Sequence, residues 1–146
     1  YPGMKVLQFA FSGDAGNTFL PHHHPPDAVV YSGTHDNDTS LGWWRSASAH
    51  ERAYAAAYLG LPADADDARV PWALVRAAQT SAARLAIVPL QDVLALDGTH
   101  RMNRPGTAEG NWSWRFDWSM VGPAPGRRLA ALSAVSGRAP IERLWG

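Results

Sequence analysis

Three short runs of apolar residues, separated by polar loops and by stretches of helical pattern, predict the first elements of the fold. The runs cover residues 5–11, 28–32 and 84–90, with the sequences KVLQFAF, AVVYS and RLAIVPL. Strands with few polar interruptions are typical of a parallel sheet or barrel, where both faces are covered. We therefore predict three buried strands that pair in parallel.

Helices are predicted between the second and third runs and again near the end of the chain. Ser48 and Glu51 match the Ser-x-x-Glu capping box at the head of an Ala-rich run, which Gly60 ends. Pro71 suits the first turn of another helix. The predicted helices span residues 48–59, 71–82 and 127–136, and residues 140–146 form a predicted tail. This order indicates an α/β fold, and by itself it fits either part of an eight-stranded barrel or a small open sheet.

Composition excludes several classes of protein. The chain has 146 residues, 13 basic and 13 acidic side chains, and no cysteine. Neutrality argues against a nucleic-acid partner, which requires a basic patch, and against a polybasic membrane anchor. No apolar run is long enough to span a bilayer. The absence of cysteine excludes disulfides, thiolate zinc sites and a cysteine nucleophile, so we expect a cytoplasmic globular protein.

Two further features concern the start of the chain and its aromatic content. Tyr1-Pro2-Gly3-Met4 leads directly into an apolar run with no covering element, so we expect this start to be a cut within a larger domain. There are seven Trp and four Tyr residues. Indole rings commonly stack on flat apolar ligand surfaces such as sugar rings, although burial in a core is their more frequent fate.

The strongest chemical signal is the sequence Thr34-His35-Asp36-Asn37-Asp38-Thr39, which directly follows the second apolar run. Barrel enzymes carry their chemistry at the carboxyl ends of strands. A carboxylate there can accept two hydrogen bonds from neighbouring sugar hydroxyls, and an imidazole can donate one. The competing interpretation is a loop of Asx-turns. A metal site at His35-Asp36 is less favoured because it needs further ligands, and His22-His23-His24 is interpreted as an ordinary loop.

A second group of polar and aromatic residues lies in the predicted loop of residues 97–117. Asn103 is a candidate for hydrogen-bonding a sugar hydroxyl, whereas packing of the loop is slightly favoured for Trp112 and Trp114. Of the neighbours Trp43 and Trp44, we expect one to face the site and the other to lie in the core. Because no glutamate follows a buried strand, the residues themselves give no general acid and no complete catalytic set.

The end of the third run supplies one more candidate pair, Gln91-Asp92. In a parallel sheet this pair lies on the same edge as the His-Asp loop. We expect Gln91 or Asp92 to orient that loop rather than to take part in catalysis.

Taken in order, these motifs resemble the C-terminal part of the 4-alpha-glucanotransferases, also called amylomaltases or disproportionating enzymes, of glycoside hydrolase family 77. The motifs that carry the resemblance are PGMKVLQFAF, YSGTHDNDT with Gly42-Trp43, PLQDVL, RMNRPGT and GNWSWR. The resemblance implies that residues 1–146 form the C-terminal portion of a (β/α)8 barrel, with about its last three strands and their helices. It also implies transfer of α-1,4-glucan segments to glucose or malto-oligosaccharides by a retaining double displacement.

The family's nucleophile and acid/base lie upstream of the Pro-Gly-Met motif, so the resemblance implies that both are missing here. Asp36 matches the carboxylate that stabilises the transition state, and His35 matches its hydroxyl-binding neighbour. The implied substrate-binding residues are Asn103, Phe9, Trp43 and Gly106. No cofactor and no metal are implied, and the partners are a malto-oligosaccharide and the remainder of the same barrel.

The loop of residues 12–16 is shorter than we expect for this family, so the match of Asp14 to a sugar-binding acid is open. Two alternatives stay open beside the enzyme: a non-catalytic glucan-binding module that uses the Trp-rich loop, and a metal-dependent hydrolase built on His35-Asp36. A partial barrel exposes unpaired strand edges, so we expect this chain to fold poorly alone.

Overall fold

A three-stranded parallel sheet forms the centre of the fold in a computed structural model, which describes residues 2–62 and 64–139. Its strands are β1 (Met4–Val6), β2 (Val29–Tyr31) and β3 (Leu85–Ile87), and they lie side by side in chain order. Met4 is opposite Val29, and Val29 is opposite Leu85. The predicted parallel pairing and the α/β class are confirmed.

All three strands are shorter than predicted. After Val6 the chain turns into a 3₁₀ helix, Leu7–Phe9, closed by the Ala10 amide on the Leu7 carbonyl at 2.9 Å, so the predicted strand of residues 5–11 was wrong in its second half. The predicted strand of residues 84–90 ends at Ile87, because Pro89 lacks a backbone donor and precedes a helix. Short apolar runs do not distinguish strand from turn by their pattern alone.

Five α-helices complete the described part of the chain. They are α1 (Ser40–Ser46), α2 (Ala49–Leu59), α3 (Val70–Thr80), α4 (Leu90–Val93) and α5 (Pro123–Val135). The capping box is confirmed, since the Glu51 amide donates to the Ser48 hydroxyl at 3.2 Å and the Ser48 amide to the Glu51 carboxylate at 3.0 Å. Gly60 ends α2 with a φ of +66°, a conformation that favours glycine. Pro71 lies in the first turn of α3, as predicted.

The prediction missed three helix starts. The chain forms α1 as a separate helix, capped by the Thr39 hydroxyl, and α4 begins at Leu90, where no helix was predicted. The last helix, α5, begins at Pro123 rather than at residue 127. A proline in the first turn is compatible with a helix, and Gly122 precedes it as N-cap. The predicted tail, residues 140–146, lies outside the described residues.

The core lies between one face of the sheet and the helices α2 and α3. Its fully buried members include Leu7, Phe11, Leu20, Val30 and Leu74. The opposite face of the sheet carries Met4, Leu85 and Ile87, each between 47% and 59% exposed. The prediction that the strands are buried on both faces therefore does not hold at these three positions of the described chain, whereas Val6, on the same face, is 1% exposed.

Arg138, just after α5, ties the end of the described chain to the sheet. Its guanidinium donates to the carbonyls of Gln79 at 2.6 Å, Ser81 at 3.0 Å and Ala83 at 2.7 Å. These carbonyls lie at the end of α3 and on the segment that leads into β3. Arg138 therefore fixes α5 to the crossover between α3 and the third strand.

No helix in the described part of the chain is both long and apolar enough to cross a membrane.

Candidate functional site

The loop between β2 and α1 is shaped by its own side chains. The Asn37 side-chain oxygen accepts hydrogen bonds from the Thr34 amide at 2.9 Å and from the Thr34 hydroxyl at 2.7 Å. At the far end, the Thr39 hydroxyl accepts from the Gly42 amide at 3.1 Å and caps α1. The Asx-turn interpretation thus describes the frame of the loop, and it leaves the carboxylate of Asp36 outside that frame.

Asp36, His35 and Asn103 come together at the carboxyl end of β2. The Asn103 amide donates to Asp36 Oδ1 at 2.7 Å, and His35 Nε2 lies 3.3 Å from the same oxygen. The Asp36 side chain is 54% exposed, and its Oδ2 makes no hydrogen bond to the described residues. One carboxylate oxygen is thus fixed by neighbours, while the other is free to accept hydrogen bonds from a ligand.

Arg101 joins the loop of Asp36 to the loop of Asn103. Its Nε donates to the Asn103 carbonyl at 2.9 Å, one terminal nitrogen donates to the Asp36 carbonyl at 2.8 Å, and the other lies 3.6 Å from an Asp38 carboxylate oxygen. Sequence reasoning did not assign a role to Arg101. The basic residue two positions before Asn103 was the signal available, but two of its three partners, Asp36 and Asp38, lie in a distant part of the sequence.

The loop after Asn103 is closed by a tight turn and by one asparagine. The Thr107 amide donates to the Arg104 carbonyl at 3.2 Å across Pro105-Gly106, and Gly106 has a φ of +83°, as the third position of a type II turn requires. The Asn111 side chain accepts from the Arg104 amide at 2.8 Å and donates to the Thr107 carbonyl at 3.0 Å. Gly106 therefore shapes the loop, and its predicted contact with substrate stays a prediction.

Trp112 packs against the candidate site. Its ring lies 5.1 Å from the His35 ring, centroid to centroid, while 56% of the residue is exposed. Its φ of +59° is unusual for a residue with a bulky side chain, and its amide donates to the Met102 carbonyl at 2.8 Å. Trp114 packs on Phe116, with ring centroids 6.2 Å apart. Trp112 therefore packs its own loop against His35 and also forms a wall of the candidate site. Its position fits both the packing and the sugar-stacking interpretation.

Asp92 is buried beneath the Asp36 loop and holds both of its ends. The Ser32 hydroxyl donates to Asp92 Oδ2, and the Ser40 amide and hydroxyl donate to the two carboxylate oxygens at 2.7 Å each. Asp92 is 1% exposed, and this burial raises the pKa of its carboxyl above the ordinary value, against the lowering effect of its three donors. These contacts match the expected orienting role of Gln91-Asp92. Gln91 itself donates to the His100 carbonyl at 3.2 Å.

Two clefts meet at His35. One, of about 230 Å³, is lined by residues that include Asp38, Gln91 and Arg101. The other, of about 340 Å³, opens between Asp36 and the uncovered face of the sheet at Ile87. His35 and Thr34 line both clefts. A ligand in either cleft would therefore contact the loop that carries Asp36.

Phe9 and Trp43 lie apart from this cluster. Phe9 sits in the 3₁₀ turn after β1, half exposed, with its ring edge-on to Phe19 at 5.7 Å. Trp43 packs on the buried Phe11, with ring centroids 5.7 Å apart, and lines neither cleft. Trp44 also packs against the core, while its indole N–H donates to Asp67 at 2.9 Å. Within the described chain both tryptophans pack against the core, and the expected contact of Trp43 with substrate stays a prediction. Binding of substrate by Phe9 stays a prediction.

The histidines of residues 22–24 have ordinary roles in the structure. The His24 ring is buried and pairs with the Phe19 carbonyl at 2.8 Å, and burial lowers its pKa. His22 pairs with the Tyr58 hydroxyl at 3.0 Å. Within residues 2–62 and 64–139, no three His, Asp or Glu side chains are grouped so that they could hold a metal ion.

Comparisons with known proteins cover the whole of this site. The family model described as 4-alpha-glucanotransferase matches residues 1–120. The chain is 50% identical over 144 residues to the 4-alpha-glucanotransferase of Thermus thermophilus, and 50% identical over 115 residues to the chloroplastic/amyloplastic protein of that name from Arabidopsis thaliana. A solved structure, the amylomaltase from Streptococcus agalactiae in complex with acarbose, matches 96% of this chain with a TM-score of 0.89 and 28% identity.

These relatives are much longer than the chain. The match takes in 94% of this chain but 28% of the Thermus protein, and 79% of this chain but 19% of the Arabidopsis protein. It likewise takes in 28% of the Streptococcus agalactiae chain. The chain thus spans roughly a fifth to a quarter of the length of the proteins that it resembles.

Proposed function

Because this chain belongs to the 4-alpha-glucanotransferase family, glycoside hydrolase family 77, we propose that it is part of an enzyme that transfers α-1,4-glucan segments to glucose or malto-oligosaccharide acceptors. The observation that carries the proposal is the cluster of Asp36, His35 and Asn103 at the carboxyl end of β2, inside the matched region. The reaction is a retaining double displacement, and this chain supplies the transition-state-stabilising part of its site.

We also propose that residues 1–146 form the C-terminal portion of a (β/α)8 barrel, with β1 to β3 as its last three strands. The exposed sheet face with Met4, Leu85 and Ile87 would then be the inner face, covered by the other strands of the same barrel. Parallel strands with helices on one face support this arrangement, as does the match to the amylomaltase structure. The remainder of the barrel, rather than another protein, is the partner of this face.

The proposed role of Asp36 follows from its two oxygens. Cleavage of a glycosidic bond passes through a positively charged, oxocarbenium-like state. Oδ1 is held by Asn103 and faces His35, so Oδ2 can accept hydrogen bonds from the ring hydroxyls of the sugar at the cleavage point. These bonds strengthen as the ring flattens, and the negative charge favours the cation that develops. His35 and Asn103 can each donate a hydrogen bond to a sugar hydroxyl. The nucleophile and the acid/base belong to the earlier strands of the barrel.

The test uses the full-length product of the reading frame that encodes this chain, incubated with maltotriose. Transfer yields glucose and longer chains, which chromatography separates. We expect Asp36→Asn to lower kcat by at least about 100-fold, the size of effect seen when one stabilising group is lost, with an unchanged melting temperature. Asp27→Asn is the matched control, since Asp27 is exposed at the opposite end of the same strand. Near-normal turnover of Asp36→Asn would contradict the assignment.

A second candidate function rests on the aromatic residues after Trp112. Trp114, Phe116 and Trp118 pack in a row, with centroid distances of 6.2 and 5.1 Å, and Trp118 is 77% exposed. Such a row suits a non-catalytic glucan-binding module. If the full-length protein binds malto-oligosaccharides without converting them, and Trp118→Ala removes that binding, this second function replaces the first.

We propose a cytoplasmic location for the enzyme and no requirement for a metal or cofactor. The plant relatives are chloroplastic or amyloplastic, so the location differs between members of the family. Fractionation of the source cells tests the location. Retained turnover after exhaustive treatment with a chelator tests the metal, and the hydrolase built on His35-Asp36 predicts the opposite result.

A further inference from the structure

We propose that Arg101 is a positioning residue that sets the geometry between Asp36 and Asn103. This inference rests on the proposed function of the Asp36 site and adds a residue that acts through Asp36 and Asn103. Its basis is a single side chain that joins two loops, one before α1 and one after α4, at the place where their functional groups meet.

The contacts of Arg101 are directed at backbone rather than at the functional groups themselves. It holds the Asp36 carbonyl at 2.8 Å and the Asn103 carbonyl at 2.9 Å, so it fixes the main chain of both residues. The side chains of the same two residues then meet at 2.7 Å. Since 65 residues separate Arg101 from Asp36 along the chain, local sequence cannot impose this distance.

Asp38 is the third partner of the Arg101 guanidinium, and its own position is fixed. One Asp38 carboxylate oxygen lies 3.6 Å from Arg101, and the other accepts from the Thr39 amide at 2.7 Å. The Asp38 carboxylate packs so closely against Gly42 and Gly98 that a Cβ at either position would overlap it. The Asp38 side chain therefore has little room to move, and Arg101, only 21% exposed, is held from one side while it holds the two loops.

Three partners in three directions require a guanidinium. Arginine presents five N–H groups in a rigid planar fork, whereas lysine has one ammonium at the end of a flexible stem. Lysine at this position would keep the positive charge near Asp38 and lose the simultaneous hold on both carbonyls. Arg101→Lys thus separates the positioning role from the charge.

The experiment compares Arg101→Lys with Arg45→Lys in the full-length protein, with maltotriose as substrate. Arg45 also forms ion pairs, 3.5 Å from Asp67 and 3.7 Å from Asp97, but makes no contact with Asp36 or Asn103. A displacement of about 1 Å at a reacting centre reduces turnover about 100-fold, so we expect kcat of Arg101→Lys to fall about 10- to 100-fold. KM changes little, and the melting temperature falls modestly because hydrogen bonds to two carbonyls are lost. Arg45→Lys keeps kcat within about twofold of the unchanged protein.

A double-mutant comparison identifies the route of the effect. If Arg101 acts by presenting Asn103 to Asp36, Arg101→Lys costs much less in an Asn103→Ala background than alone. Equal losses in the two backgrounds would overturn the inference, as would a loss of activity that follows the loss of folded protein. Should Arg101→Lys fail to fold, Asp38→Asn tests the inference instead. This variant keeps Arg101 and removes the negative charge that holds its guanidinium. In that variant an unchanged kcat overturns the inference, and a lowered kcat at constant KM supports it.

These outcomes separate the inference from the proposed function. If Asp36→Asn abolishes transfer and Arg101→Lys leaves it intact, the positioning role is wrong and the function stands. If Asp36→Asn also leaves transfer intact, the proposed site itself is wrong.

Discussion

Replacement of the buried Asp92 provides the sharpest test of how the candidate site is built. Asp92 is the common acceptor for Ser32, at the end of β2, and Ser40, at the start of α1. The seven residues between them form the loop that carries Asp36. Asp92→Ala removes all three hydrogen bonds, while Asp92→Asn keeps the shape and one acceptor oxygen. The pair of variants therefore distinguishes loss of contacts from loss of charge.

The free energy lost in Asp92→Ala depends on which of the three donors can find a new acceptor. The Ser40 amide is fixed in the first turn of α1 and is fully buried, so its loss of an acceptor costs about 1–3 kcal/mol. The two serine hydroxyls can rotate, which limits their loss to about 0.5–1.5 kcal/mol each. Relief from burying a charge offsets part of this sum. We expect Asp92→Ala to weaken the loop by about 2–4 kcal/mol, or about 30- to 900-fold in an opening equilibrium.

Hydrogen–deuterium exchange, read by mass spectrometry on peptides that cover residues 32–46, measures this opening in the full-length protein. Exchange in Asp92→Ala should be faster by the stated factor, while peptides from α2 stay unchanged. Asp92→Asn should stay close to the unchanged protein, because Asn can accept from the Ser40 amide and donate to the hydroxyls. Unchanged exchange in Asp92→Ala would refute the view that Asp92 holds the loop.

The raised pKa of Asp92 adds a pH dependence of defined sign. Because burial favours the protonated form in the folded protein, the stability from this shift is present below its ordinary pKa of 3.8. That stability is lost as the pH rises through the raised pKa. Asp92→Asn has no such loss, so its melting temperature relative to the unchanged protein should increase as the pH rises from about 4 through the raised pKa. A constant or opposite difference would contradict the assignment.

Three further predictions concern the capping box, the end of the chain and the wall of the site. Ser48→Ala should destabilise α2 by about 1 kcal/mol in denaturant unfolding, whereas Ser48→Asp, also a good N-cap, should not; equal effects would exclude the cap as the cause. Arg138→Lys should cost about 1–2 kcal/mol through lost bonds to carbonyls, with the exposed Arg69→Lys as its neutral control, and equal melting temperatures would contradict this. Trp112→Ala should raise KM for maltotriose about two- to tenfold while Trp112→Phe largely preserves it, and an unchanged KM in Trp112→Ala would remove Trp112 from the site.

The parts of the fold that the sequence predicts are those governed by neighbouring residues. The capping box of Ser48 and Glu51, the end of α2 at Gly60 and the proline in the first turn of α3 each depend on contacts within one helical turn. The strand lengths depend on tertiary packing instead. Leu7 is apolar whether it continues a strand or begins a 3₁₀ turn into the core, so its pattern does not decide between the two.

The candidate site also contains residues that the sequence predicts and contacts that it does not. Asp36 and His35 are predictable because they follow a buried strand, and Asn103 because it lies in a polar, Trp-rich loop whose motif also resembles a known family. The bridging role of Arg101 was not predictable, since its contacts cross 65 residues of sequence. The contact of Trp43 with Phe11 was not predictable for the same reason, because Phe11 lies in another part of the chain.

Asp36 and the exposed sheet face border the same cleft. The cleft of about 340 Å³ is lined on one side by Asp36 and His35 and on the other by Met4 and Ile87. An element packed on the sheet face at Met4 and Ile87 would narrow this cleft and reduce the contact of the carboxylate with water. A half-exposed carboxylate stabilises a nearby cation weakly, because water screens the interaction, whereas the same group in a closed site acts at a much lower effective dielectric constant. The described chain therefore fixes the position of Asp36 by means of Asp92 and Arg101, and the strength of the proposed electrostatic effect depends on the element that covers the sheet.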